Sequence, residues 1–233
     1  MIDWWIAPID AARAHDVSWH VSWHARAMVV AWGGLVPVGI LAARFFKVLP
    51  GQDWPREVDN RVWWVAHRSC QYLGGALMLA GLWLIWAGEG APPLHRGLGW
   101  AALALAGVQF IAAWARGSKG GPTAPAADGS LRGDHYDMTP RRLVFEYTHK
   151  FAGYAALACA AGAILSGLWH ANGPRWMWAV ILLWWAVLAV LAVVWQRRGM
   201  AVDTYQAIWG PDPAHPGNRR SPVGLGVRRR GQG

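Results

Sequence analysis

Five long apolar segments constrain this chain of 233 residues more than any other feature of its sequence. Each exceeds 18 residues with few or no charges, which is typical of a helix that crosses a lipid bilayer. At 1.5 Å per residue, each can cross a hydrocarbon core of about 30 Å. We call them spans A to E, and they cover residues 23–46, 62–87, 95–115, 144–169 and 175–196. The predicted fold is an all-α integral membrane helical bundle with five transmembrane helices.

Turn-forming residues separate the spans and indicate the domain limits. A tight turn is predicted at Glu89–Pro93, and a longer loop rich in Gly, Pro, Ala and Asp at 117–143. We divide the chain into an outer-face N-terminal segment (1–22), a transmembrane domain (23–197) and a basic cytoplasmic tail (198–233). Because the tail is polar and contains several prolines, we expect it to be irregular or disordered.

The distribution of Lys and Arg predicts the orientation of the chain in the membrane. The net charge is +9, with 22 Lys and Arg in all. The N-terminal segment and the B–C and D–E turns share one side of the membrane and carry four of these cations, Arg13, Arg26, Arg96 and Arg175. Because positive residues stay in the cytoplasm, we expect the N-terminus outside and the C-terminus inside. The orientation of the chain in the membrane thus explains its positive net charge, and no binding to nucleic acid needs to be assumed. Anionic membrane lipid is the favoured partner.

Four of the five spans carry a histidine in their first turn or two, and span E has none. These residues are His24 in A, His67 in B, His95 in C and His149 in D. Ionisable residues inside membrane spans are costly and usually functional. A single such histidine is readily explained as an interfacial residue, whereas the same placement in four spans is not. Because successive spans run antiparallel, His24 and His95 should lie near the outer face, and His67 and His149 near the inner face.

Two imidazoles at one depth on facing helices can bind one haem iron from opposite sides. A zinc site usually takes three or four ligands, whereas haem needs only axial ones. The chain has no Cys-X-X-Cys-His motif, which excludes covalent c-type attachment. We therefore predict two non-covalent b haems in a core of four helices, with irons about 20 Å apart. Since two histidines would fill the axial positions of each iron, electron transfer is favoured over oxygen binding.

Span A contains a second histidine that could take the place of His24. His20 lies four residues earlier, on the same helical face if the helix begins early. We favour His24 because it lies deeper in the span.

Cations and glycines accompany the predicted ligands. A cation follows each histidine within two residues, namely Arg26, Arg68, Arg96 and Lys150. A cation in the first turn opposes the helix dipole, so a nearby anion would compensate; haem propionates and lipid phosphates are equal alternatives. Gly99 and Gly153 each follow a histidine by four residues and begin a stripe of small side chains. The stripe suits a flat porphyrin, and equally suits close helix packing.

These residues carry a resemblance to a known family. The matching segments are His24-Ala-Arg-Ala-Met28, Ala31-Trp-Gly-Gly, Pro37-Val-Gly, Ala43-Arg-Phe-Phe-Lys47, Val65-Ala-His-Arg with Gln71 and Gly74, His95-Arg-Gly-Leu-Gly with Gln109, and His149-Lys-Phe-Ala-Gly-Tyr. Over roughly residues 20–197 the chain resembles the cytochrome b561 superfamily, particularly bacterial members similar to the cytochrome part of ferric-chelate-reductase-like proteins. The resemblance implies two bis-histidine b haems, paired between alternate core helices, and transmembrane electron transfer.

The resemblance also implies a donor site and a cellular location. In the family, a cationic cluster at the inner end of the first ligand helix contributes to the electron-donor site, and Arg44 and Lys47 occupy that place here. Positive-inside anchoring explains the same two residues without a substrate, and we favour that alternative. A chain similar to the bacterial members is expected in the bacterial inner membrane.

Three functions are compatible with the sequence. The first is an electron conduit from a cytoplasmic or quinol donor to an outer-face acceptor. The second is a dihaem anchor subunit that exchanges electrons between a dehydrogenase and quinone. The third, which we favour least, is a non-redox transporter, because its polar residues should lie near the membrane midplane. The identities of the donor and acceptor stay open, as does the oligomeric state, a homodimer included.

Overall fold

The computed structural model describes residues 1–86, 88 and 90–230 of the chain. Within these residues the fold is helical and contains no β-strand, which confirms the predicted all-α class. Ala87, Glu89 and residues 231–233 lie outside the described part. The predicted turn at Glu89–Pro93 therefore lies partly outside the described residues, and the last three residues of the tail lie wholly outside them.

The chain forms eight α-helices in its described part. They are α1 (Ile2–Ile6), α2 (Trp19–Met28), α3 (Val36–Phe45), α4 (Val62–Leu84), α5 (Pro93–Ala115), α6 (Pro140–His170), α7 (Arg175–Arg197) and α8 (Thr204–Trp209). A π-helical segment, Val29–Leu35, joins α2 to α3 in one continuous helix, and a 3₁₀ turn covers Pro216–Arg219. Two of the helices, α5 and α6, begin at a proline, which has a fixed φ suited to the first helical position.

Among the described residues, four helical stretches are long and apolar enough to cross a membrane: Trp19–Phe45, α5, α6 and α7. Their large apolar side chains are widely exposed, as at Leu183 (68% exposed), which suits contact with lipid rather than water. The remaining predicted span, B, corresponds to α4, which has 23 residues but includes His67, Arg68 and Gln71. The predicted count of five transmembrane helices therefore stays a prediction.

The π-helical segment has a direct cause in the sequence. In a regular α-helix the ring of Pro37 would clash with the carbonyl of Gly33, four residues before it. Because proline has no N–H, Pro37 also could not donate a hydrogen bond to that carbonyl. The N–H of Val36 instead bonds the carbonyl of Ala31, five residues back. The Gly33 carbonyl accepts hydrogen bonds from the indole nitrogens of Trp184 (2.9 Å) and Trp185 (3.3 Å) on α7.

The N-terminal segment is hydrogen-bonded to the turn between α6 and α7. Asn172, which is 1% exposed and has a φ of 49°, lies at the centre of this contact. Its amide oxygen accepts from the N–H of Asp10 at 3.0 Å, and its amide nitrogen donates to the carbonyls of Asp10 and Arg13. Residues before α2 are therefore ordered by contacts with this turn.

The described chain divides into two compact units. The first comprises Met1–Ile40, Arg68–Ala104 and Ala155–Val193 and contains His24 and His95. The second comprises Leu41–His67, Leu105–Tyr154 and Val194–Gly233 and contains His67 and His149.

The segment after α7 contains helix α8 and the 3₁₀ turn, and the rest of its described part, residues 198–230, has irregular backbone, which is one of the two expected alternatives. Helix α8 is buried, with Tyr205, Ile208 and Trp209 packed against Met138 and, less deeply, Trp63. The prolines and arginines of this segment suggested disorder, but its aromatic side chains bury enough apolar surface to fix it.

Candidate functional site

The first unit brings His24 and His95 together. Their half-buried rings have centroids 6.2 Å apart and planes at 80°. The Nδ1 of His24 is 2.9 Å from the carbonyl oxygen of Gly81, and the Nδ1 of His95 is 2.8 Å from that of Ala163. Because each Nδ1 is engaged by a main-chain acceptor, each ring has Nε2 left for another partner.

The second unit brings His67 and His149 together in the same way. Their ring centroids are 6.1 Å apart and their planes meet at 80°. The ring of Phe145, one turn earlier on α6, stacks on His149 with centroids 5.0 Å apart and an interplanar angle of 24°. The side-chain amide of Gln109 on α5 lies beside the Nδ1 of His149. His149 therefore faces a side chain at Nδ1, where His24 and His95 face backbone carbonyls.

Both distances fit one metal ion held between two imidazoles. A ring nitrogen binds a transition metal at about 2.0 Å and lies about 1.1 Å from its own ring centroid, so two opposed rings should have centroids about 6.2 Å apart. The observed values are 6.2 and 6.1 Å. No cluster of three or more His, Cys, Asp or Glu suited to a metal is found in the described chain. Two nitrogens per site suit haem, which supplies its own equatorial ligands.

The two histidine pairs predicted from the sequence are thus the two pairs whose rings lie side by side in the structure. His24 contacts His95, and His67 contacts His149. Their role as iron ligands stays a prediction, as does the separation of the two irons.

Comparison with known proteins gives two significant relatives. The chain is 31% identical over 150 residues to a cytochrome b561, DM13 and DOMON domain-containing protein of Arabidopsis thaliana. It is 30% identical over 150 residues to ferric-chelate reductase 1 of Bos taurus. The chain is cytochrome b561-like. The resemblance inferred from the sequence is confirmed, while the bacterial origin stays a prediction. No family model and no solved structure matches the chain.

The matched region is a small part of each relative. It covers 63% of this chain and 14% of the plant protein, and 62% of this chain and 22% of the bovine protein. The apolar helices and the similarity to these relatives together indicate a multi-pass membrane protein. The activities of the longer relatives do not transfer with so short a match.

In this b561-like chain, His20 differs from His24 in its surroundings. His20 is exposed and packs its ring edge-on against Trp19, with centroids 5.0 Å apart. His24 is half-buried and contacts His95. The geometry favours His24 as the residue that acts with His95.

The four cations that follow the histidines fall into two classes. Arg26, Arg68 and Arg96 are exposed; the guanidinium of Arg26 donates to the hydroxyl of Ser22 and lies over the ring of Trp23. Lys150 instead ion-pairs with the buried Glu146 at 2.5 Å and donates to the carbonyl of Val223 at 2.8 Å. An anionic headgroup or propionate can approach the three arginines, but it would have to compete with Glu146 for Lys150.

The predicted stripe of small residues has open space beside one of its glycines. A Cβ at Gly99 would have no heavy atom within 4 Å, whereas one at Gly153 would lie 3.6 Å from the side-chain amide of Gln109. Open space beside Gly99, one turn after His95, is compatible with a flat ligand on that face. Gly153 provides room for the Gln109 side chain.

Arg44 and Lys47, the predicted donor-site cations, are both engaged by other parts of the second unit. Arg44 donates to the hydroxyl of Tyr154 at 2.9 Å and to the amide oxygen of Gln196 at 2.8 Å. Lys47 is 6% exposed, and its ammonium donates to the carbonyl of Val202 at 3.1 Å. Burial, reinforced by the positive charge of Lys150, lowers the pKa of Lys47 to about 7. Lys47 is therefore inaccessible to an anionic donor in this conformation.

Three features of the b561-like site were missed by the sequence interpretation. Gln109 was noted as a family residue, but not as a neighbour of His149. Gly167 lies so close to His95 that a Cβ there would be 2.8 Å from Cε1 of His95. Glu146, buried between Arg142 and Lys150, was overlooked, although an acid four residues from a cation on each side is a recognisable helical pattern.

Proposed function

We propose that this b561-like protein transfers electrons across a membrane through two b haems. One haem would be held by His24 and His95, and the other by His67 and His149. The observation that carries the proposal is the spacing of the two histidine pairs, 6.2 and 6.1 Å between ring centroids. The electron-transfer character of the family supports the same function.

The chain's own residues would supply ligation, orientation and a low dielectric. When bound, haem supplies one-electron chemistry at its iron. The carbonyls of Gly81 and Ala163 fix the ring orientation and tautomer of His24 and His95, and thereby direct Nε2 away from the backbone. With two histidines of the chain holding each haem, neither oxygen nor substrate would bind at the iron, which suits electron transfer.

The proposed direction of transfer is from a cytoplasmic or quinol donor to an acceptor on the outer face. It rests on the distribution of Lys and Arg, which favours a cytoplasmic C-terminus. The bovine relative is named a ferric-chelate reductase, and a ferric chelate is accordingly the first acceptor to test here. Anionic membrane lipid is the proposed partner of the exposed arginines.

The decisive experiment is a visible spectrum of the detergent-purified protein, oxidised and reduced with dithionite, with a pyridine haemochrome assay. We expect a low-spin b-type spectrum and two haems per chain. His24→Ala and His95→Ala should each lose one haem, and His67→Ala and His149→Ala should lose the other. His20→Ala is the matched control and should retain both. A colourless protein after haem-replete expression would exclude the proposed function.

A further inference from the structure

The two histidine pairs differ in the group that faces Nδ1. In the first pair, both Nδ1 atoms lie against main-chain carbonyls, which no substitution can remove. In the second pair, the Nδ1 of His149 lies 2.6 Å from the terminal amide of Gln109. An amide can present either an acceptor or a donor to that nitrogen, whereas a carbonyl can only accept.

The amide of Gln109 also contacts the backbone of α6. With its nitrogen toward His149, it donates to the carbonyl of His149 at 2.9 Å, and its oxygen accepts from the N–H of Gly153 at 3.1 Å. This orientation satisfies both backbone groups. Rotation of the amide by half a turn exchanges nitrogen and oxygen with almost no change in shape. It gives up these two backbone hydrogen bonds and presents the oxygen to Nδ1.

The chemistry of a ligand histidine selects between these two orientations. A neutral imidazole that binds a metal through Nε2 carries its proton on Nδ1 and needs an acceptor there. The amide oxygen is the acceptor within reach, 2.6 Å from Nδ1 after the rotation. The other orientation presents an N–H to Nδ1, and so requires a ring that has no proton on this nitrogen.

We propose that Gln109 is a positioning residue for His149 that turns its amide oxygen toward Nδ1 when Nε2 binds iron. This inference rests on the proposed function. An acceptor on Nδ1 makes the imidazole a stronger electron donor and favours the ferric state, which lowers the haem potential. The potential of this haem would therefore depend on a replaceable side chain, and that of the other haem on the main chain.

The test compares redox titrations and electron paramagnetic resonance spectra of the haem-loaded wild type with three variants. Gln109→Leu removes the acceptor, so the potential of the His67–His149 haem should rise and its largest g-value should shift. Where ferric stabilisation is lost about tenfold, the rise is about 59 mV. This haem should also be retained about 10- to 100-fold less tightly. Gln109→Glu, whose ionised carboxylate can only accept, should lower the same potential and retain the haem.

Gln71→Leu is the matched control, because Gln71 lies in α4 and donates to the carbonyl of Val36 at 3.3 Å. It should leave the spectrum and potential of the His67–His149 haem unchanged. A fall in potential in Gln109→Leu would mean that the amide nitrogen faces Nδ1, and would overturn the inference. Equal shifts at both haems, or identical behaviour of the Gln71 and Gln109 variants, would also overturn it. Failure of the proposed function is distinguishable from these outcomes, because the wild type itself would then bind no haem.

Discussion

Gly167 on α6 faces the imidazole of His95 so closely that a methyl group at position 167 would lie 2.8 Å from Cε1 and 2.9 Å from Nδ1. Real Cβ atoms do not approach other heavy atoms so closely, so the ring would have to move. The Nδ1 of His95 is hydrogen-bonded to the carbonyl of Ala163, which lies one turn before Gly167 on α6. Gly167 and Ala163 together therefore fix where this imidazole lies.

Gly167→Ala should disturb the His24–His95 haem and spare the other. We expect loss of about one haem per chain in the haemochrome assay, or a shifted spectrum of that haem. Gly107→Ala on α5 is the control, because a Cβ there meets no heavy atom within 4 Å, and replacement of a helical glycine by alanine gains up to about 1 kcal/mol. Retention of both unaltered haems in Gly167→Ala would contradict the packing argument.

Removal of both indole donors to Gly33 should destabilise the helix Trp19–Phe45. The double variant Trp184→Phe/Trp185→Phe deletes two hydrogen bonds to this carbonyl, and each is worth about 1 kcal/mol. We expect a lower Tm in detergent, with each single variant less affected because the other indole remains. Adding Pro37→Ala restores an N–H four residues after Gly33, and should recover part of the loss. Further destabilisation by Pro37→Ala would argue against this cause of the π-helical segment.

Lys47 should make the stability of the protein rise with pH. Its pKa is lowered from 10.5 to about 7 by burial and by Lys150 and Arg44, against the opposing effect of Glu146 and Asp203. Between about pH 7 and 10.5 the unfolded chain holds this proton and the folded protein does not, so stability increases with pH in that window. Lys47→Met should therefore raise Tm most near pH 6–7, and its advantage should shrink toward pH 10. An advantage independent of pH would contradict the prediction.

His135 should make the second unit sensitive to acid. This side chain is 5% exposed, between the rings of Tyr205 and Trp209, and burial together with Arg142 lowers its pKa to about 3. As the pH falls below the ordinary histidine pKa of about 6.5, His135 becomes protonated in the unfolded chain but stays neutral in the folded protein. The free energy of unfolding therefore falls.

His135→Phe provides the comparison for this acid sensitivity. The difference in Tm between wild type and variant, measured from pH 7 to pH 4, should move in favour of the variant as the pH is lowered. A constant difference over that range would show that protonation of His135 does not matter.

The sequence predicted the helices and the histidine pairs because both follow from local rules. Apolar length predicted the long helices, and alternation of helix direction placed His24 with His95 and His67 with His149. Gln109 could not be assigned to His149 in this way, because depth groups residues without specifying which side chains touch. That contact depends on how α5 packs against α6.

The tail contains a packing contact that composition could not predict. Proline and arginine suggested disorder after residue 197, yet Tyr205 and Trp209 pack against Met138, which lies in a distant loop. Burial of aromatic surface against a remote partner is not visible in a local window of sequence. The π-helical segment likewise could not be predicted from a local window, since the indole donors to the Gly33 carbonyl come from α7.

The hydrogen bonds to the two Nδ1 atoms of the first pair also have a consequence for biogenesis. His24, Gly81 and His95 are synthesised first, but the acceptor of His95, the carbonyl of Ala163, is supplied only by α6. A nascent chain that has inserted three ligand-bearing segments still lacks this acceptor. Cofactor binding at this pair would therefore be completed late in membrane insertion. A nascent chain stalled before residue 163 would have an incomplete site.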